Sequence, residues 1–238
     1  MITTILFDLD GTLLPFEQED FVNIYFAELC KKLAPLGYEP KPTIKAVWAG
    51  TAAMIKNDGS RVNSEAFWET FCALNEGKPD AKPLCDRFYT EEFDKAKSSL
   101  KYIPDHKPMI ERLKALGLRL VLATNPIFPL DGVRTRMKWV NLGESDFELV
   151  THYDNSSFCK PNLNYYNEIL LKVGAAPNEC IMIGNSVPED MCAAKLGISP
   201  FLIDEFAENP ENADLSQFSR GTFEDAERFI NDKLKATV

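Results

Sequence analysis

Residues 4–12 read TILFDLDGT: a short apolar run, Thr4–Phe7, leads directly into Asp8, Leu9, Asp10, Gly11 and Thr12. An apolar run of this length bounded by turn residues is the pattern of a strand buried on both faces. Four further runs have the same form: 118–123 before Thr124, 147–150, 180–183 before Gly184, and 200–203 before Asp204. Helical patterns separate them. Asp105 caps one that runs to Leu116 and stops at Gly117, and Pro161 opens another over 162–173 that Gly174 closes. Pro188 opens a third that ends at Gly197, and Thr222 begins a last amphipathic helix to Leu234. Proline at the first turn and glycine just past the end are the expected helix signals. Strands alternating with helices imply parallel pairing, right-handed crossovers and helices on both faces. The expected fold is α/β, a doubly wound parallel five-stranded sheet.

One interval breaks the alternation. About 100 residues separate the first two strands, where a crossover needs roughly a dozen. Helical patterns fill it at 19–33, 43–56, 64–74 and 82–98. Residues 15–103 hold 13 of the chain's 26 aromatic residues, so this is no linker but an inserted helical unit with its own packing. The expected organisation is a core of 1–14 and 104–238 around an α-helical insert, 15–103.

Composition narrows the function. The 238 residues are 45% apolar and 26% charged, which excludes a disordered chain. No apolar run approaches the roughly 20 residues of a membrane span, and two acids within the first ten residues argue against a secretory leader. The net charge of −10 disfavours a nucleic-acid partner. Six cysteines without a CxxC pair read as reduced thiols of a cytoplasmic protein. Only His106 and His152 are present, which excludes a multi-histidine metal site; both read as surface or loop residues.

In an open α/β sheet, ligands bind beyond the carboxyl ends of the strands. Those ends carry Asp8 and Asp10, then Thr124 and Asn125, then Lys160 and Pro161, then the segment from Gly184 and Asn185 to Asp190. One carboxylate can attack phosphorus, and a second two positions away can protonate the leaving group and then activate water. Two carboxylates repel a dianionic phosphate, so the site calls for Mg²⁺. Lys160 supplies further positive charge, and Thr124 with nearby backbone N–H groups holds phosphoryl oxygens.

These residues resemble the haloacid dehalogenase-like (HAD) superfamily. In that family a DxDGT motif supplies nucleophile and acid/base, which implies those roles for Asp8 and Asp10. The resemblance makes Thr124 and Lys160 catalytic residues that bind the phosphoryl group together with Asn125. It places a metal at Asp8, Asp10, Asn185 and Asp190. The family's fourth motif, GDxxxxD, is met by Gly184 and Asp190 but has Asn185 in place of its metal-binding Asp. A helical insert between the first two motifs looks like the family's C1 cap, and a second Asp favours phosphatase or phosphomutase chemistry. The reading is a Mg²⁺-dependent phosphatase that hydrolyses a small phosphorylated metabolite through an aspartyl-phosphate. It acts as a monomer or homodimer, without a nucleic-acid or membrane partner. The alternatives are a phosphomutase or a phosphate-binding regulatory protein that has lost turnover.

Overall fold

The computed structural model describes residues 1–236, so 237–238 of the expected core segment lie outside the described residues. One sheet contains β1 (Thr4–Phe7), β2 (Arg119–Leu122), β3 (Leu149–Val150), β4 (Cys180–Gly184), β5 (Ser199–Ile203) and β6 (Ser219–Gly221). Their order is β3-β2-β1-β4-β5-β6, and every neighbouring pair is parallel. The alternation of strand side chains sorts the core into two layers. Ile5, Phe7, Leu120, Leu122, Ile181 and Ile183 join one apolar cluster with residues of α5 (Lys107–Ala115), α6 (Leu130–Trp139) and α8 (Phe223–Lys235). Leu6, Val121, Cys180 and Met182 face the other way, against α7 (Leu163–Val173). The sheet is therefore covered on both faces, as a doubly wound α/β fold requires.

There are six strands rather than the expected five. The sixth is Ser219–Gly221, which has no apolar alternation and lies largely exposed at the sheet edge beside β5. Hydrophobic periodicity cannot detect such a strand. Three other expectations shift. The 147–150 run contributes only Leu149–Val150, because Glu144–Asp146 forms a 3₁₀ turn just before it. The segment opened by Pro188 yields only a 3₁₀ helix, Met191–Leu196, since Ser186 accepts the N–H groups of Asp190 and Met191 in a turn that uses up its start. The 82–98 pattern splits into α4 (Lys82–Glu91) and a 3₁₀ stretch, Phe93–Ser99. Its buried residues are Phe93, Ala96 and Ser99, a spacing of three that matches the 3₁₀ repeat.

Between β1 and β2 stand α1 (Gln18–Leu33), α2 (Pro40–Ile55), α3 (Asn63–Ala73) and α4. Their aromatic residues merge with the layer beneath. Phe21 meets Phe93 edge-on at 5.9 Å and Trp139 of α6 at 6.4 Å, and the Trp139 indole donates to Asp94 at 2.8 Å. Such aromatic pairs add about 0.5–1.5 kcal/mol each beyond their buried area. The helices thus stand over the carboxyl end of the sheet on a continuous apolar footing.

Candidate active site

The site is built by the position of β1 in the sheet. Phe7 pairs with Leu122 on one side and Ile183 on the other, so the next residues of all three strands emerge side by side. The Asp8 N–H donates to the Ile183 carbonyl, and the Ala123 N–H to that of Phe7. Asp8, Thr124 and Asn185 meet there because chain order reverses across β1, at the crevice where open α/β sheets bind ligands.

The DLDGTLL segment makes a tight loop. Leu9, Leu13 and Leu14 are fully buried and anchor it, while the Leu14 N–H returns to the Leu9 carbonyl at 2.8 Å. Gly11 turns the chain at φ +76°, where a Cβ would lie 2.3 Å from Asn185 Nδ2. Glycine answers both demands.

Asp8 is buried and fixed at both oxygens: Oδ1 accepts from Lys160 Nζ at 2.8 Å and Oδ2 from the Thr12 hydroxyl at 3.1 Å. Lys160 is delivered by the loop between β3 and α7 and is buried. Its ammonium also donates to Asp190 Oδ1 at 2.6 Å. Burial alone would lower the lysine's pKa, but the carboxylates of Asp190 and Asp8 outweigh it and hold the value well above normal. Burial raises the Asp190 carboxyl, Lys160 opposes that, and Asp8 adds to the rise. Its second oxygen accepts the Ser186 N–H at 3.0 Å.

Asp10 differs. Its Oδ2 accepts from Arg136, while its Oδ1 is inside the protein without a hydrogen-bond partner. Burial raises its pKa; Arg136 opposes that and Asp8 adds to it. The Arg136 guanidinium is itself fully buried, 4.3 Å over the Phe128 ring, with Nη2 unpartnered.

Thr124 is held by its carbonyl, which accepts from the hydroxyls of Thr151 (2.7 Å) and Tyr165 (2.9 Å), and it lines the cleft. Asn125 is occupied at both ends: it donates to Glu189 and accepts the Lys160 N–H. Asn185 is likewise engaged, with Oδ1 3.0 Å from the Thr12 hydroxyl, whose one hydrogen it shares with Asp8, and Nδ2 donating to the Phe206 carbonyl at 2.7 Å. All seven residues singled out from sequence thus converge on one cleft, with Lys160 as its buried floor. Sequence reading missed Arg136, the role of Thr12, and Glu189, whose carboxyl burial pushes up to about 7. Arg136 had a signal: on a helix it shares a face with Gly132, Val133 and Val140, an apolar stripe that a solvated arginine avoids. His106 is not in the site. It is buried at the start of α5, its ring 4.2 Å from that of Phe223, and it rather than Asp105 occupies the cap position.

The donor set suits a hard cation. Every candidate ligand atom is an oxygen, and the cleft of about 570 Å³ is lined by nine carboxylate residues and no lysine, arginine or histidine. Among the described residues no three His, Cys, Asp or Glu side chains form a ready cage.

The sequence profile of the family described as Haloacid dehalogenase-like hydrolase matches residues 5–203. A ribulose-1,5-bisphosphate 5-phosphatase of Halopiger xanaduensis is 24% identical over 232 residues, covering 92% of this chain and 93% of that protein. Two solved structures share the fold. A HAD phosphatase from Thermococcus onnurineus is 20% identical with a TM-score of 0.58, over 96% of this chain and 98% of that one. A 2-haloacid dehalogenase from Pseudomonas syringae pv. Tomato DC3000 is 18% identical with a TM-score of 0.63 over the full length of both.

Proposed function

The chain belongs to the haloacid dehalogenase-like hydrolases, and on that premise we propose that it is a phosphatase of a small phosphomonoester, with Asp8 as nucleophile. The observation that carries the reading is the contrast between its two aspartates. Asp8 is pinned and charge-balanced by Lys160, as a nucleophile must be, whereas Asp10 has raised proton affinity and a free oxygen, as an acid needs. Asp8 attacks phosphorus, and Asp10 passes its proton to the departing alkoxide oxygen. Asp10, now a carboxylate held by Arg136, then takes a proton from the water that hydrolyses the aspartyl-phosphate. Thr124 and Lys160 hold the phosphoryl oxygens, with Asn125 fixed beside them between Glu189 and Lys160.

Mg²⁺ held by Asp8, Asn185, Asp190 and the Asp10 carbonyl would neutralise phosphate charge in a cleft that otherwise repels it. Residues 15–103 act as a cap that keeps bulk water from the reaction in the 1–14 and 104–238 core. The six cysteines are unpaired, which supports a reducing, cytoplasmic setting.

The test is phosphate release from a panel of phosphomonoesters with and without Mg²⁺, beside Asp8→Asn. The parent should turn over at least one ester in Mg²⁺, and Asp8→Asn should lose at least a thousandfold while remaining folded. A folded parent that releases no phosphate from any ester overturns the reading in favour of phosphate binding without turnover.

A further inference from the structure

Beside the polar cleft lies a second cavity, of about 110 Å³, between the inserted helices and the residues Asp10, Ile127, Phe128 and Tyr153 beneath them. Its walls include Phe21, Tyr25 and Phe26 of α1, Val47 of α2, and Phe67 and Phe71 of α3. Among the polar groups on these walls, the Tyr25 and Tyr89 hydroxyls bond to each other at 3.1 Å and the Thr51 hydroxyl bonds back to the Val47 carbonyl at 3.0 Å, which leaves the Trp68 indole N–H and Asp10 Oδ1 as the buried polar atoms without a partner. The two cavities share Asp10, Phe16, Gln18, Trp48, Thr51 and Ile127 in their linings, so they meet at a neck with Asp10 beside it. Resting on the phosphatase reading above, we infer that the substrate is the monophosphate of a small apolar alcohol, whose phosphate occupies the cleft and whose hydrocarbon fills the aromatic cavity.

Three features lead there. A residue that protonates the leaving oxygen belongs where the phosphate ends and the leaving group begins, and Asp10 is at that junction. The cavity compares with the ~150 Å³ apolar cavity that accepts benzene, which limits the alcohol to one ring or a short branched chain. Finally, the cleft lining has no lysine, arginine or histidine to receive a second phosphate or a sugar acid. This separates the chain from a relative named for a bisphosphate. A buried apolar group in such a pocket changes kcat/KM by tenfold or more per methylene or so.

The experiment compares benzyl phosphate, 3-methylbutyl phosphate, glycerol 3-phosphate and p-nitrophenyl phosphate on the intact enzyme with Mg²⁺. The first two should exceed glycerol 3-phosphate at least tenfold in kcat/KM, and benzyl alcohol should compete with p-nitrophenyl phosphate. Val47→Phe, which fills the cavity, should bring the benzyl-to-glycerol ratio toward one. Should that variant not fold, benzyl alcohol competition and a change in tryptophan fluorescence on the parent, where Trp48 and Trp68 line the cavity, decide the matter. Equal or better turnover of glycerol 3-phosphate, with no competition by benzyl alcohol, overturns the inference and leaves the phosphatase reading intact. Silence on benzyl and 3-methylbutyl phosphate also overturns this inference, while the phosphatase reading falls only if the wider panel above is silent too.

Discussion

At the scale of single residues, the two aspartates are separated by their partners. Arg136 is the least expected of these. By stabilising the Asp10 carboxylate it limits how far burial raises the carboxyl's pKa. Arg136→Met therefore should move the alkaline limb of the kcat/KM profile to higher pH, because the protonated acid persists further, and should lower kcat by roughly tenfold as the second half-reaction loses its stabilised base. An unmoved limb would dissociate Arg136 from the acid. Asn185 has a local rationale: an aspartate there would turn a carboxylate toward the Phe206 carbonyl, which the amide now satisfies. Asn185→Asp should reduce the Mg²⁺ needed for half-maximal activity, since a charged oxygen binds a hard cation better, while destabilising the metal-free protein by about 1–3 kcal/mol. An unchanged Mg²⁺ requirement would place residue 185 away from the metal. The aspartates, Thr124 and Lys160 were legible because each follows an apolar run or precedes a proline. Arg136 and Glu189 were not, because their importance lies in burial, which no local pattern of charge records.

At the scale of elements, the helix signals that rest on backbone chemistry held up best. Thr222 caps α8 by accepting the Asp225 N–H, and Gly174 ends α7 at φ +61°. The weakest readings were elements defined by hydrogen bonds without an apolar face, such as β6, or by a loop that consumed the start of a helix, as at 188–197. His106 illustrates an error of a different kind. A histidine at the start of α5 reads as surface, yet it is clamped on Phe223 at the start of α8, with its Nε2 unpartnered. Burial lowers its pKa to about 4. The unfolded chain therefore binds a proton that the folded chain refuses between pH 6.5 and about 4, and stability falls as pH falls through that window. The parent should lose about 2–3 kcal/mol more than His106→Phe between pH 7 and pH 4.5 in urea unfolding. Parallel losses in the two proteins would show that His106 is not the group responsible.

At the scale of the whole molecule, the sequence foretold the sheet, because it follows from where strands and helices fall along the chain, and the long interval read as an insert holds the helices α1 to α4. The depth of the contact between insert and sheet was hidden. Phe21, Phe93 and Trp139 come from distant parts of the sequence, and only the fold makes them neighbours. The exposed carboxylates of the cleft, Glu17, Glu19, Asp204, Glu205 and Glu208, have a kinetic consequence as well as a chemical one. Most charged enzymes draw their ligands in, and added salt slows them by screening that attraction. Here an incoming phosphate ester meets a field of its own sign, so the encounter is retarded and ionic strength relieves it. With Mg²⁺ saturating, kcat/KM should climb as NaCl rises from 10 to 150 mM, over which the screening length shrinks from about 30 Å to about 8 Å. Spent phosphate leaving the same mouth is pushed outward, so product inhibition should be weakest in dilute buffer and strengthen as salt is added.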